Sequence, residues 1–202
     1  MKKLFIDIDD TYKDTEHYLR ALLINNGYSV PDNDTIYALT NSEEGVNSIF
    51  RSVFKNYSAI PDIYGVRENF PLLETEYEII FCSTYYSKEE SLAKKIFARD
   101  LDKEIILCDG NSSNWDKSNV DMSGSAFVDD NIKILTRSNA DSKYSIYNPF
   151  QFNLQLFRTK GQDIKLVSNW YELTDLLMGV EVDEDIRKRV CEGIQKYCNG
   201  SR

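Results

Sequence analysis

Histidine is nearly missing from this chain of 202 residues, with His17 alone. One imidazole excludes histidine-nucleophile phosphatases, Ser-His-Asp hydrolysis and His-rich zinc sites. Cysteine is also scarce. Cys82, Cys108, Cys191 and Cys198 form no C-x-x-C pair and no zinc-like spacing, so they read as reduced thiols, two of them in expected core strands. No apolar run approaches the roughly 18 residues of a membrane span, and the opening Met1 to Asp7 has no export-type segment, so a cytoplasmic protein is expected. Basic residues are outnumbered, 24 against 33, for a net charge of −9. That balance argues against a nucleic-acid surface or an anionic membrane as partner. A small anionic substrate is still compatible where a metal and one or two local cations sit in the pocket. Internal repeats, low-complexity segments and flexible linkers are absent from the sequence.

What the chain does have is core-forming material, 42% hydrophobic and 12% aromatic, enough for one domain with a small insertion or for two small domains. It also has carboxylates where they are costly. Leu4, Phe5, Ile6 and Ile8 form the short apolar run expected of a buried parallel strand, and the run ends in Asp7, Asp9 and Asp10. Like charges desolvated together raise one another's pKa values unless a cation or strong donors hold them, so the cluster implies a bound metal or a working site. A solvated turn after the first strand is the bland alternative.

Other strand ends favour the site. The run 78–82 ends in Ser83 and Thr84, the run 125–128 ends in Asp129 and Asp130, and Lys117 stands shortly before that pair. Ligands of open parallel sheets bind outside the carboxyl ends of the strands, where these groups would converge. The set resembles the haloacid dehalogenase-like superfamily of phosphohydrolases. Asp7, Asp9 and Thr11 match its first motif, Ser83 its second, Lys117 its third, and Asp129 with Asp130 its fourth. The resemblance covers about the first two thirds of the chain. It implies a Rossmann-like, doubly wound parallel α/β core with a small helical cap inserted after the first strand, Mg2+ as cofactor, and an aspartyl-phosphate mechanism. It makes Asp7 the nucleophile and Asp9 the acid and base. Ser83 would bind the phosphoryl oxygens, Lys117 would offset charge, and Asp7, Asp9 (through its carbonyl), Asp129 and Asp130 would hold the metal. Thr84 competes with Ser83, Lys103 and Lys133 compete with Lys117, and either acid of the pair can be the direct ligand. Asp9 favours phosphate transfer to water over carbon–halogen cleavage.

Along the chain, apolar periodicity predicts a helix from Thr15 to Ile24 stopping near Gly27, with Asp14 or Thr15 as cap and His17 as a surface residue. A second helix is expected from Ser42 to about Tyr57, with Phe50 and Val53 on its core face. The division expected is 1–12 with 60–202 as catalytic core and 13–59 as cap. Helix 87–99 carries Glu89, Glu90, Lys94 and Lys95 on what reads as a solvated face. Strand 104–108, a loop delivering Lys117, strand 125–128, a short strand from Tyr144, a helix after Val167 and an amphipathic tail 183–198 complete the order.

Later segments resemble the 5'(3')-deoxyribonucleotidase branch, among them Phe81 to Thr84, Tyr147-Asn148-Pro149 and Asn169 to Leu173. The first motif departs from that branch, with Asp10 and Thr11 where it has Gly and Val. The resemblance implies a nucleoside monophosphate as substrate. Tyr85, Tyr86, Trp115 and Phe50 are candidate base contacts, and Thr84, Thr11, Tyr85 and Trp115 candidate substrate-binding residues. A sugar phosphate or polynucleotide 3'-phosphate is the alternative substrate, the acidic charge disfavouring the second. A non-catalytic metal-binding module is the rival from another class. A homodimer is compatible with the chain.

Overall fold

A computed structural model describes residues 1–30, 44–113, 115–148 and 163–180. Six strands form one all-parallel sheet: β1 (Lys2–Ile6), β2 (Tyr77–Tyr85), β3 (Glu104–Asp109), β4 (Ala126–Val128), β5 (Ser142–Ile146) and β6 (Lys165–Val167), in the order β3-β2-β1-β4-β5-β6. Parallel strands need crossovers, and the chain supplies helices: α1 (Thr15–Asn25), α2 (Glu44–Lys55), α3 (Val66–Leu73), α4 (Lys88–Asp100), α5 (Ile132–Arg137) and α6 (Trp170–Leu177). The doubly wound α/β class expected from the sequence is the class observed. Strand order reverses at β1, which pairs with β2 on one side and β4 on the other, so the switch point lies where Asp7 leaves β1.

Successive side chains of a strand face opposite sides, which divides the core in two. Leu4, Ile6, Ile79, Phe81 and Val128 pack on one face with Leu19, Leu23, Val53, Tyr57 and Ile60. Phe5, Ile80, Cys82 and Phe127 pack on the other with Met122, Ile132 and Leu135. Helices α1 and α2 therefore share the first core with the sheet, and α2 packs on α1 and α4.

The segment between β1 and α3 leaves and rejoins the core at one seam. Lys13, buried, reaches Asp62 at 2.6 Å and the Ile60 carbonyl at 3.0 Å. The Asp14 amide donates to Pro61 O and the Ile63 amide to Tyr12 O. Trp170, fully buried, donates from Nε1 to Thr11 O at 2.9 Å, tying α6 to the turn after β1. Gly65 makes room for this: its φ is +88°, and a Cβ there would lie 2.8 Å from the Tyr171 ring.

Helix α1 stops just before Gly27 (φ +86°), near where expected, and Asp14 at its N-cap position makes no side-chain capping hydrogen bond. Asp10 Oδ1 accepts the Glu16 amide from outside the helix instead, at 2.7 Å. The segment 37–39, the tail 183–198, Cys191, Cys198 and Pro149 lie outside the described residues. No helix among the described residues is long and apolar enough to cross a membrane.

Candidate active site

The loop after β1, the end of β4 and the loop holding Lys117 bring their charged side chains to one point. Lys117 Nζ donates to Asp7 Oδ1 and to Asp129 Oδ2, both at 2.7 Å, although Asp7 lies 110 residues away in sequence. Carboxylate oxygens of Asp7, Asp129 and Asp130 all lie within 4.8 Å of one another, and all three residues are buried. Lys117 is itself 1% exposed and has φ +61°, a left-handed backbone that non-glycine residues rarely adopt. The competing lysines are elsewhere: Lys103 pairs with Glu74 at 2.6 Å, and Lys133 is exposed on α5.

Burial pushes the Asp129 carboxyl up to about 7, the Asp7 charge adding to this and Lys117 opposing it. Asp130 is driven well above the ordinary carboxylate range by burial and by Asp10, Asp129 and Asp7. Burial alone would lower Lys117, but the charges of Asp129 and Asp7 hold it above the usual lysine range. Three carboxylates against one ammonium leave a formal excess of two negative charges. All-oxygen donors with that excess fit a hard divalent cation such as Mg2+.

A pH test follows. In the metal-free protein the folded state holds protons on Asp129 and Asp130 that the unfolded chain releases above about pH 4. The stability they confer is complete below about pH 4 and is lost as pH rises toward 7 and beyond. Bound Mg2+ displaces those protons, so the rise in melting temperature on adding Mg2+ is expected to be larger near pH 8 than near pH 5.5. Thermal shift at the two pH values checks this, and equal or absent shifts count against the metal site.

The hydroxyls of Thr11 and Thr84 are both engaged within the chain. Thr11 is fully buried, and its hydroxyl accepts the Asp130 amide at 3.0 Å, so it braces the acidic pair. The Thr84 hydroxyl donates to Trp115 O at 2.9 Å. Ser83 is 1% exposed, and its hydroxyl has no hydrogen-bond partner among the described residues. It sits two rungs beyond the Ile6–Phe81 pair, level with the chain leaving β1. Tyr85 and Trp115 are half-buried, and Arg137 lies 5.8 Å from the Trp115 ring. Tyr86 is exposed against Gly110, whereas Phe50 is half-buried and packs against the first core. A cavity of about 250 Å³ opens on the Asp10 and Asn148 side, with Asp14, Glu16, Tyr64 and Tyr147 also lining it.

Asp9 is held by residues that sequence reasoning missed. Its Oδ1 accepts the hydroxyls of Tyr57 at 2.6 Å and Thr15 at 2.8 Å, and its Oδ2 lies 2.5 Å from Lys94 Nζ. Burial disfavours its charge, but Lys94 with the two hydroxyls keeps its carboxyl below the usual range. Lys94 also reaches Glu90 at 2.8 Å and donates to the Thr84 carbonyl. The expected solvated face of α4 is thus wrong at two positions, since Glu90 is 6% and Lys94 1% exposed. The available signal was the i, i+4 spacing of Glu90 and Lys94 in the helix that follows the Ser83 strand end.

No family model and no curated protein matches this chain. Solved structures do. A haloacid dehalogenase-like family hydrolase from Xanthomonas campestris superposes with a TM-score of 0.54 at 11% identity, over 89% of this chain and 96% of that one. A D,D-heptose 1,7-bisphosphate phosphatase from B. bronchiseptica, complexed with magnesium and phosphate, gives 0.52 at 10% identity, over 90% and 100%. A HAD-superfamily hydrolase of subfamily IA from Geobacter sulfurreducens gives 0.50 at 14%, over 88% and 96%. The fold is that of the haloacid dehalogenase-like hydrolases.

Proposed function

We propose that the chain is a Mg2+-dependent phosphomonoester hydrolase working through an aspartyl-phosphate on Asp7. The observation that carries this reading is Lys117 seated between Asp7 and Asp129, with Asp130 completing a buried three-carboxylate cluster.

Hydrolysing a phosphate ester brings a nucleophile against oxygens that are already negative, so a site works mainly by positioning and charge stabilisation. Asp7 attacks phosphorus, a form of covalent catalysis open to carboxylates. Asp9 protonates the departing ester oxygen and then takes a proton from the attacking water. Lys117 offsets the charge on Asp7 and on the phosphoryl group, and Ser83 donates its hydroxyl to a phosphoryl oxygen. Asp7, Asp129, Asp130 and the Asp9 carbonyl would hold Mg2+, which would supply Lewis-acid neutralisation of the phosphoryl charge. In this reading residues 13–59 act as a cap on the site, supported by the Lys13–Asp62 pair that ties the start of the segment to the chain just beyond its end.

Ser83 and Thr84 are separated by substitution. Ser83→Ala is expected to lower kcat/KM about 10- to 100-fold by removing one hydrogen bond to the charged phosphoryl group. Thr84→Val loses only a bond to a backbone carbonyl and should cost about 1 kcal/mol of stability with activity nearly unchanged. Steady-state kinetics and urea unfolding of both variants check this, and the reverse pattern transfers the role to Thr84.

For the substrate we propose a nucleoside monophosphate, with the base against Tyr85 and Trp115. The Thr84–Trp115 hydrogen bond supports this by holding the Trp115 backbone beside the strand end that carries Ser83. A sugar phosphate is the second reading, favoured by the likeness to the heptose bisphosphate phosphatase. Phosphate release across nucleotides and sugar phosphates separates them: preference for nucleotides, lost in Trp115→Ala, supports the first, and preference for sugar phosphates the second.

A further inference from the structure

Two buried polar groups beside the site have no part in metal or phosphate binding as described. Lys94 is fixed in place, pinned by Glu90 and the Thr84 carbonyl and almost wholly out of water. Ordering and desolvating a lysine is unfavourable, and an apolar side chain would fill the same space on a helix that packs against β2 and β3. The ring of Tyr57 packs on Phe54 and Phe97, a task a phenylalanine performs as well. Beyond Glu90 and the Thr84 carbonyl, the ammonium reaches the Asp9 carboxylate, the same group that the Tyr57 hydroxyl reaches. The two arrive from different parts of the chain, Lys94 from the core helix α4 and Tyr57 from the 3-10 turn Tyr57–Ala59 that ends the inserted segment. With Thr15 at the start of α1, three elements fix the direction of Asp9.

We propose that Lys94 and Tyr57 are positioning residues that hold the Asp9 carboxylate in the orientation from which it takes the proton of the attacking water. This rests on the phosphatase reading. In the step concerned, the water oxygen bonds to phosphorus and the bond from phosphorus to the Asp7 oxygen breaks. The water proton passes to Asp9, and inorganic phosphate leaves. The preceding step breaks the ester bond, and with p-nitrophenyl phosphate the leaving group departs as a stable anion that needs no proton from Asp9. Loss of orientation therefore slows the second step and spares the first.

The test is rapid-mixing kinetics of Lys94→Met and Tyr57→Phe with p-nitrophenyl phosphate and Mg2+. A burst of about one nitrophenolate per site is expected, followed by turnover reduced about 10- to 100-fold, with the Mg2+-induced thermal shift unchanged. Lys94→Arg, which keeps the cation, should recover part of the turnover. Burst and turnover falling together, or neither falling, in a variant with an intact Mg2+ shift overturns the assignment. Should Lys94→Met not fold, Tyr57→Phe decides by the same criteria. Absence of any nitrophenolate release by the wild-type protein overturns the phosphatase reading itself, a result distinct from an active wild type with unaffected variants.

Discussion

Replacing Asp7 by Asn is expected to abolish phosphate release, by about 1,000-fold or more, without unfolding the protein. The amide is isosteric with the carboxylate but cannot form the aspartyl-phosphate, so the covalent path is closed rather than slowed. Folding should tolerate the change, because Asp7 is one of three carboxylates crowded within 4.8 Å and its neutral replacement relieves repulsion in the metal-free state. Lys117 keeps Asp129 as a partner at 2.7 Å. Phosphate release and melting temperature measured on one preparation check both halves. Retention of even a tenth of the activity would remove Asp7 from the nucleophile's role.

The second large effect is on stability. Lys117→Met removes the one cation lodged between Asp7 and Asp129, each bonded to it at 2.7 Å, and leaves two buried carboxylates facing each other. Breaking a buried ion pair by deleting one member costs about 3–5 kcal/mol, because the surviving charge stays desolvated. In a chain of this size each kcal/mol shifts the melting temperature by about 2–4 °C, so a fall of about 10 °C is expected in the absence of metal. Mg2+ takes over part of the lost neutralisation, so the deficit should shrink when it is added, while turnover stays impaired. Thermal melts with Mg2+ and with chelator test this. A variant as stable as the wild type in chelator would mean that the pair is solvated.

Much of this arrangement was readable from the sequence, because the physics that places it is local. A buried parallel strand must be apolar along its length, so β1, β2 and β3 announce themselves, and carboxylates at such ends stand out by their cost. The convergence of Asp7, Lys117 and Asp129 follows once the strands are parallel, since every carboxyl end then lies at one edge of the sheet. Strand β6 and helix α5 were missed, being three and six residues long and too short to show a period.

The misreading of α4 has another cause. Glu90 and Lys94 lie on what amphipathic patterning takes for a water-facing side, and only the three-dimensional approach of Asp9 turns that side inward. Tyr57 was hidden likewise, as the last apolar residue of an expected helix rather than a hydroxyl donor on a separate 3-10 turn. Thr11 fits the first motif, but its hydroxyl supports the Asp130 amide, a pairing across 119 residues that no spacing reveals.

The most direct measurement is phosphate release by the wild-type protein from p-nitrophenyl phosphate, with Mg2+ present and with a chelator in its place. Release that depends on Mg2+ and stops in chelator is expected if the acids of β1 and β4 share one divalent ion. Release that continues undiminished in chelator, or none at any Mg2+ concentration, would contradict it.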